Sequence, residues 1–294
     1  MDTNTKRVHY YHADASALGG HIKRPFDRPI PVQAAVSLPP VGGYAEARGR
    51  RHFKVKSVVS FEAAYSQVAG SVNKENGAFT TLVTSTVEKF NVLDTFTADR
   101  LVAQISIDHP PYGYIPNGYI PKGSIPKVSL IGTQFENVRI GGDRVEIILD
   151  LDICRHSNEG EYPNQRCMYD PQFLAKVGEQ YRRINDATSM PDWIEDRTVP
   201  SWVTDRYQWD NSEAGLSNKG YVLCSVVKEI RGKFPGKHYH NIIEIPEFGK
   251  IFLGELVVDY GSFQLIMVRM ELGSPTEACV SAAVGKANGS GGGG

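Results

Sequence analysis

The chain of 294 residues lacks the features that would assign it to several common classes. Its 32 Lys and Arg residues balance 33 Asp and Glu residues, so no excess charge indicates nucleic acid or an acidic membrane as a partner. No run of 18 apolar residues occurs, which excludes a transmembrane helix. The first sixteen residues carry no apolar core of a secretory signal. We therefore expect a cytoplasmic protein.

Catalytic motifs are also absent. The sequence has no Gly-x-Ser-x-Gly elbow, phosphate-binding loop, dinucleotide-binding glycine pattern or His-Glu-x-x-His zinc motif. These absences argue against nucleotide hydrolysis, Rossmann-type redox chemistry and α/β-hydrolase catalysis. Enzymes built from dispersed residues leave no such motif, but the simplest expectation is a protein that is not an enzyme and holds no cofactor.

Cysteine is scarce and scattered. The four residues, Cys154, Cys167, Cys224 and Cys279, form no Cys-x-x-Cys pair, which argues against a zinc ribbon or a thioredoxin-like motif. Cys154 and Cys167 are close enough in sequence to bridge a loop in an oxidising environment. Scattered, reduced cysteines are the favoured interpretation.

What the sequence does contain is mainly strand. Apolar residues alternate with polar ones, and turn-forming Asn-Gly and Gly-Gly segments separate the runs. We predict a mainly β protein, an antiparallel β-sandwich or distorted barrel with one helix-containing insertion. The predicted strands lie within 53–72, 79–92, 101–108, 127–140, 144–154, 220–230, 242–245, 251–260 and 263–272.

One helix is predicted, beginning after Asp170 as N-cap with Pro171 in the first turn and ending near Ile184. It belongs to an insertion that is rich in aspartate and contains all three tryptophans. The predicted divisions are a β-rich first half at 1–154, the insertion at 155–218, a β-rich second half of the same domain at 219–284 and a flexible glycine-rich tail at 285–294.

Histidines are the best metal candidates. On a strand, His238 and His240 would point to one face, as neighbouring ligands must. Asp150 and Asp152 form a carboxylate pair suited to a harder cation. A further cluster consists of His9, His12 and Asp14. Convergence of these pairs would hold a divalent metal, whereas solvated polar strand faces are the simpler explanation.

Three segments could bind a partner. Trp193, Trp202 and Trp209, interleaved with acidic residues, are typical of a carbohydrate platform or of anchors that hold the insertion on the sheet. Residues 113–127 repeat a Gly-x-Ile-Pro pentapeptide that displays Tyr114 and Tyr119 on a loop. Five basic residues in 48–56, including Arg48, Arg50 and Arg51, could contact phosphates, although the strand alternation there favours a solvated edge.

The hairpin predicted over 53–92 is long and rich in Ser and Thr, as in segments that insert into membranes. Its imperfect alternation favours a soluble sheet instead.

These observations together predict a non-enzymatic structural or binding protein that acts through self-association or a protein partner. Residues 1–56 carry ten basic and four acidic residues, whereas 150–215 carry seven basic and thirteen acidic residues. A contact between these segments on neighbouring subunits would be heterologous and would build rings or filaments. The alternatives are a metal-dependent enzyme that uses the strand histidines and a carbohydrate-binding module centred on the tryptophans.

Overall fold

A computed structural model describes residues 9–111, 125–155, 166–208 and 220–288. It confirms a mainly β protein in which two large antiparallel sheets pack face to face, with one helical insertion between β halves. The strands are β1 (Ala13–Arg24), β2 (Arg28–Gln33), β3 (Val36–Ser37), β4 (Gly43–Arg48), β5 (Phe53–Val55), β6 (Val59–Phe61), β7 (Ala63–Val72), β8 (Phe79–Val92), β9 (Phe96–His109), β10 (Lys127–Ser129), β11 (Gln134–Glu136), β12 (Val138–Ile140), β13 (Asp143–Leu149), β14 (Tyr221–Ser225), β15 (Val227–Arg231), β16 (Lys237–Tyr239), β17 (Ile242–Ile245), β18 (Gly249–Asp259), β19 (Ser262–Leu272) and β20 (Glu277–Asn288).

The first sheet runs in the order β16-β17-β18-β19-β20-β1-β2, with β14 also paired to β18 and β3 to β1. The second runs β15-β13-β12-β9-β8-β6-β5, with β10 and β11 on β9, and with β7 joining β8 to β4. The strands β1, β19 and β20 contact β7, β8 and β9 across the core. The edge strands β2, of the first sheet, and β4, of the second, therefore lie at one lateral end of the sandwich. The strands β14, β16 and β18 lie at the other end.

Small residues let the sheets approach closely. A Cβ on Gly285 of β20 would lie 3.1 Å from Cγ1 of Val83 on β8. The Ser85 hydroxyl donates across the interface to the backbone oxygen of Ser16, 2.9 Å away. The predicted tail at 285–294 is wrong over its first four residues, because β20 continues to Asn288 and Gly285 pairs with both Leu265 and Ala15. The remainder of that tail lies outside the described residues.

The predicted hairpin is confirmed where Val72 pairs with Phe79 around the Asn73–Gly77 turn. Four predicted runs are broken. The run 127–140 divides into β10, β11 and β12, and the run 220–230 divides into β14 and β15, which belong to different sheets. The run 53–72 divides into β5, β6 and β7: a tight turn in which Lys56 has a positive φ of 51° separates β5 from β6, and Glu62 separates β6 from β7. The run 144–154 ends at Leu149, because the Asp150 carboxylate accepts the backbone N–H of Asp152 and closes a turn there.

The predicted helix is confirmed as α1 (Pro171–Asn185), followed by the short α2 (Ser201–Arg206). The Asp170 carboxylate accepts the backbone N–H groups of Gln172 and Phe173 at 2.8 and 3.0 Å. Neither α-helix of the described ranges has the length and apolar character needed to cross a lipid bilayer.

Candidate functional site

The strand β4 forms an open edge of the second sheet. Within the described residues it pairs with β7 alone, from Gly43 opposite Gly70 to Arg48 opposite Tyr65. The N–H of Gly49 donates to the backbone oxygen of Ala64, so odd-numbered β4 residues exchange hydrogen bonds with β7. The backbone groups of Tyr44, Glu46 and Arg48 therefore point away from the sheet.

The side chains of β4 have two distinct faces. Ala45 and Ala47 are partly buried and pack against the core. Tyr44, Glu46 and Arg48 lie on the outer face, where the Tyr44 hydroxyl donates to the Glu46 carboxylate at 2.7 Å. The Arg48 guanidinium is 3.8 Å from that carboxylate and is 79% exposed. The edge thus presents one aromatic ring, one acid and one base in regular alternation.

Two other edges, β2 and β14, are less open. The strand β2 is also six residues long, but its Pro29 and Pro31 have no N–H to donate. On β14, the Gln180 side chain of α1 donates to the backbone oxygen of Ser225 and accepts its N–H, while the Tyr181 hydroxyl donates to the oxygen of Leu223. Proline and helix cover protect these two edges, whereas β4 contains no proline and no helix of the described ranges bonds to it.

The predicted basic residues lie beside this edge. Arg48 and Arg51 line a concave region of about 360 Å³ together with Tyr65. The backbone N–H of Arg50 donates to the Gln33 side chain, 3.0 Å away, and so ties the end of β4 to β2. The structure therefore brings the three predicted arginines together at the lateral end formed by β2 and β4.

Two of the predicted tryptophans, Trp193 and Trp202, lie at the opposite end and are partly buried against the core. Trp193 meets Phe234 edge to face with ring centroids 5.1 Å apart. Trp202 packs against Phe252 and carries the Lys250 ammonium 3.8 Å from its ring centroid. Trp202 thus holds the insertion on the first sheet and Trp193 packs on the loop before β16, which favours the anchoring interpretation over a free binding platform. The predicted Trp209, Tyr114 and Tyr119 lie outside the described residues.

Charge in the insertion is largely neutralised within the chain. Its described part, 166–208, carries six basic and seven acidic residues. Glu179 pairs with Arg183 at 2.8 Å, and Asp192 pairs with Arg197 at 3.0 Å. The described part of the insertion therefore carries a net charge of only about −1.

A buried ion-pair cluster, invisible in the sequence, joins α2 to the first sheet. The Glu255 carboxylate is 3% exposed and accepts hydrogen bonds from Arg269 at 2.6 and 2.9 Å and from Arg206 at 3.1 Å. Burial lowers the pKa of Arg269, but the bonds to Glu255 and Glu271 outweigh it and leave that pKa raised. The Arg269 guanidinium also lies 3.7 Å from the Phe252 ring centroid. This satisfied network is structural.

The histidine pair shares a cavity but not a strand face. β16 ends at Tyr239, and His240 follows in a turn with φ of 53°. His240 therefore lies outside the strand, and both rings line a cavity of about 310 Å³ with Arg183, Ser189 and Lys228. Burial lowers the pKa of His238, and burial with the neighbouring His238 lowers the pKa of His240 to about 4.

The other predicted metal ligands lie apart from this cavity. Asp150 and Asp152 occupy the turn after β13, and the Lys176 ammonium is 3.4 Å from the Asp150 carboxylate. His9 packs among Tyr11, Phe79 and His109, while the exposed His12 pairs with Asp14 at 3.4 Å. In the ranges that the structure describes, no three His, Cys, Asp or Glu side chains form a group suited to a metal ion.

Three cysteines that are distant in sequence come together. Cys154, Cys167 and Cys224 are all buried and reduced where the insertion leaves and rejoins the sheets. Burial and a hydrogen bond with Cys154 raise the pKa of the Cys167 thiol, and burial raises that of Cys224. Cys279 is exposed. Such thiols pack as small apolar groups and are poor nucleophiles.

Comparison with known proteins yields one family. The model of a domain of unknown function, DUF8256, matches residues 9–259. The chain belongs to this family. The strands β19 and β20 lie beyond the matched DUF8256 region but complete the first sheet between β18 and β1. No curated protein and no solved structure matches the chain.

Proposed function

We propose that this DUF8256 protein is a non-enzymatic β-rich binding protein that acts through self-association at the open edge β4. The observation that carries the proposal is the row of outward backbone groups on Tyr44, Glu46 and Arg48, which pair with nothing in the described part of the chain. Exposed strand edges accept a strand from another molecule through main-chain hydrogen bonds. The edge is also free of proline.

The surroundings of β4 suit a protein partner. Tyr44 is 59% exposed, and Val41, just before the strand, is 87% exposed. An aromatic and an aliphatic side chain beside arginines match the composition of protein interfaces. Because the added contact is a short strand, the interface is small and its affinity is low, with a dissociation constant on the order of 100 µM.

The test compares two substitutions at one position. Glu46→Pro removes an outward N–H without touching the hydrogen bonds to β7, whereas Glu46→Ala removes only the side chain. We expect the solution mass of the wild type to rise above 32.5 kDa with concentration, Glu46→Ala to associate, and Glu46→Pro to stay monomeric.

Arg48→Pro removes a second outward N–H and should behave like Glu46→Pro. Circular dichroism and thermal unfolding establish that both proline variants fold. A wild type that remains at 32.5 kDa up to roughly 1 mM, well above the expected dissociation constant, would contradict the proposal. Equal association of the Pro and Ala variants would contradict it as well.

A further inference from the structure

We infer that the strand added to β4 is β4 of a second copy, antiparallel, with the two-fold axis at Ala47 and Glu46 opposite Arg48 of the second copy. This inference rests on the proposed function and specifies its partner and register. It would join the second sheets of two molecules into one continuous sheet.

The backbone restricts the possible registers. Only even-numbered β4 residues turn their N–H and C=O groups outward, so in an antiparallel pair even residues must face even residues. A two-fold axis at Ala47 satisfies this, because it places Glu46 opposite Arg48 in both directions. Each of these two residue pairs exchanges two hydrogen bonds, which makes four bonds between the copies.

Charge selects among the allowed registers. With the axis at Ala47, two Glu46 and two Arg48 side chains form a square of alternating sign on the outer face. The Glu46–Arg48 contact of 3.8 Å within one strand supplies one side of that square. An axis at Glu46 would instead place two carboxylates directly opposite each other, which is destabilising.

Charge and glycine conformation disfavour an axis at Ala45. That axis would pair Tyr44 with Glu46 of the second copy, which brings no opposite charges together, and it would place Arg48 opposite Gly42. Gly42 and Gly43 have φ values of 85° and 102°, so the backbone leaves the extended strand conformation there. At the other end of the edge, the outward N–H of Arg50 already donates to the Gln33 side chain. The usable outward groups are therefore those of Tyr44, Glu46 and Arg48, and an axis at Ala47 pairs the two charged residues.

Symmetry then sets the size of the assembly. A two-fold contact uses the same edge on both copies and leaves no β4 edge for a third. The result is a closed dimer. This differs from the heterologous contact that the charge distribution of the sequence predicts.

Cross-linking tests the register directly. At the two-fold axis, Ala47 of one copy would lie opposite Ala47 of the second copy in a non-hydrogen-bonded pair. The Cα separation in such a pair is about 4.5 Å, which permits a disulfide. In a Cys279→Ser background, Ala47→Cys is expected to give a covalent dimer with oxidised glutathione at protein concentrations where the wild type associates. Ala45→Cys, which would face Gly49, is the matched control and is expected to give none.

Charge exchange provides the second measurement. Glu46→Arg and Arg48→Glu each place like charges opposite each other at two sites, and we expect each to raise the dissociation constant about three- to tenfold. The double variant restores opposite charges and should return to within about twofold of the wild type.

The two proposals fail in different ways. If the wild type associates and Glu46→Pro prevents it, but Ala47→Cys does not cross-link and the double variant does not recover, the register is overturned and the use of β4 stands. A wild type that is monomeric at every concentration overturns both.

Discussion

Removal of the buried Glu255 carboxylate should destabilise the protein more than removal of the half-exposed Glu271 carboxylate, which contacts the same arginine. Glu255→Ala leaves Arg269, which is 14% exposed, without the acceptor of its two short hydrogen bonds. Breaking a buried ion pair by removing one partner costs about 3–5 kcal/mol. Because Arg206 is 38% exposed and Arg269 keeps its ion pair with Glu271, we expect a loss at the lower end of this range, about 3 kcal/mol of unfolding free energy.

The matched control is Glu271→Ala, which removes an acid that is 45% exposed from the same arginine. Such a half-exposed ion pair contributes up to about 1 kcal/mol. Urea unfolding followed by circular dichroism gives both free energies, provided that the denaturant slope stays unchanged. Equal losses for the two variants, or a loss below about 1 kcal/mol for Glu255→Ala, would refute the assignment of the buried network.

Three further predictions concern stability. His240→Gln should flatten the pH dependence of the unfolding free energy between about pH 6.5 and 4. Because the pKa of His240 is lowered in the folded state, the unfolded chain binds the proton first, and His240 lowers stability by about 1–3 kcal/mol as the pH falls through that window. An unchanged pH profile of the variant in urea titrations would contradict this. Gly249→Ala should lower the free energy of unfolding by about 2–4 kcal/mol, because φ is 122° and the new Cβ would lie 2.2 Å from the Glu271 backbone oxygen. The control Gly142→Ala, also at positive φ but in open space, should lower it by about 1 kcal/mol. Thermal unfolding compares the two variants. Trp202→Ala should speed amide exchange in α2 while leaving β8 and β9 protected, because the indole holds the insertion on the first sheet. Mass spectrometry of the exchanged peptides measures this, and an unchanged exchange rate in α2 would contradict the anchoring role of the indole.

The sequence predicts the fold class and the helix because both depend on local chemistry. Alternating apolar residues define strands such as β18 and β19, and the Asp170 carboxylate with Pro171 defines the start of α1. Two long strands escape prediction. β1 and β20 are rich in Ala, Gly and Ser, whose small side chains give a weak alternation but allow the sheets to approach closely.

The candidate site is harder to predict because it depends on contacts between distant residues. The alternation of Tyr44, Glu46 and Arg48 with alanines is readable as a short strand. Its position at an open edge depends on which strands pair, and no local pattern in the sequence encodes that pairing. The same reason hides the meeting of Cys224 with Cys154 and of Glu255 with Arg206.

The most direct test of β4 as the contact is residue-resolved amide exchange by NMR at low and high protein concentration. The N–H groups of Glu46 and Arg48 point outward, whereas those of Ala45 and Ala47 bond to β7 and provide internal references. We predict that protection of Glu46 and Arg48 rises with concentration while that of the two alanines does not change. Association without a gain of protection at Glu46 and Arg48 would contradict the central claim and place the contact elsewhere on the molecule.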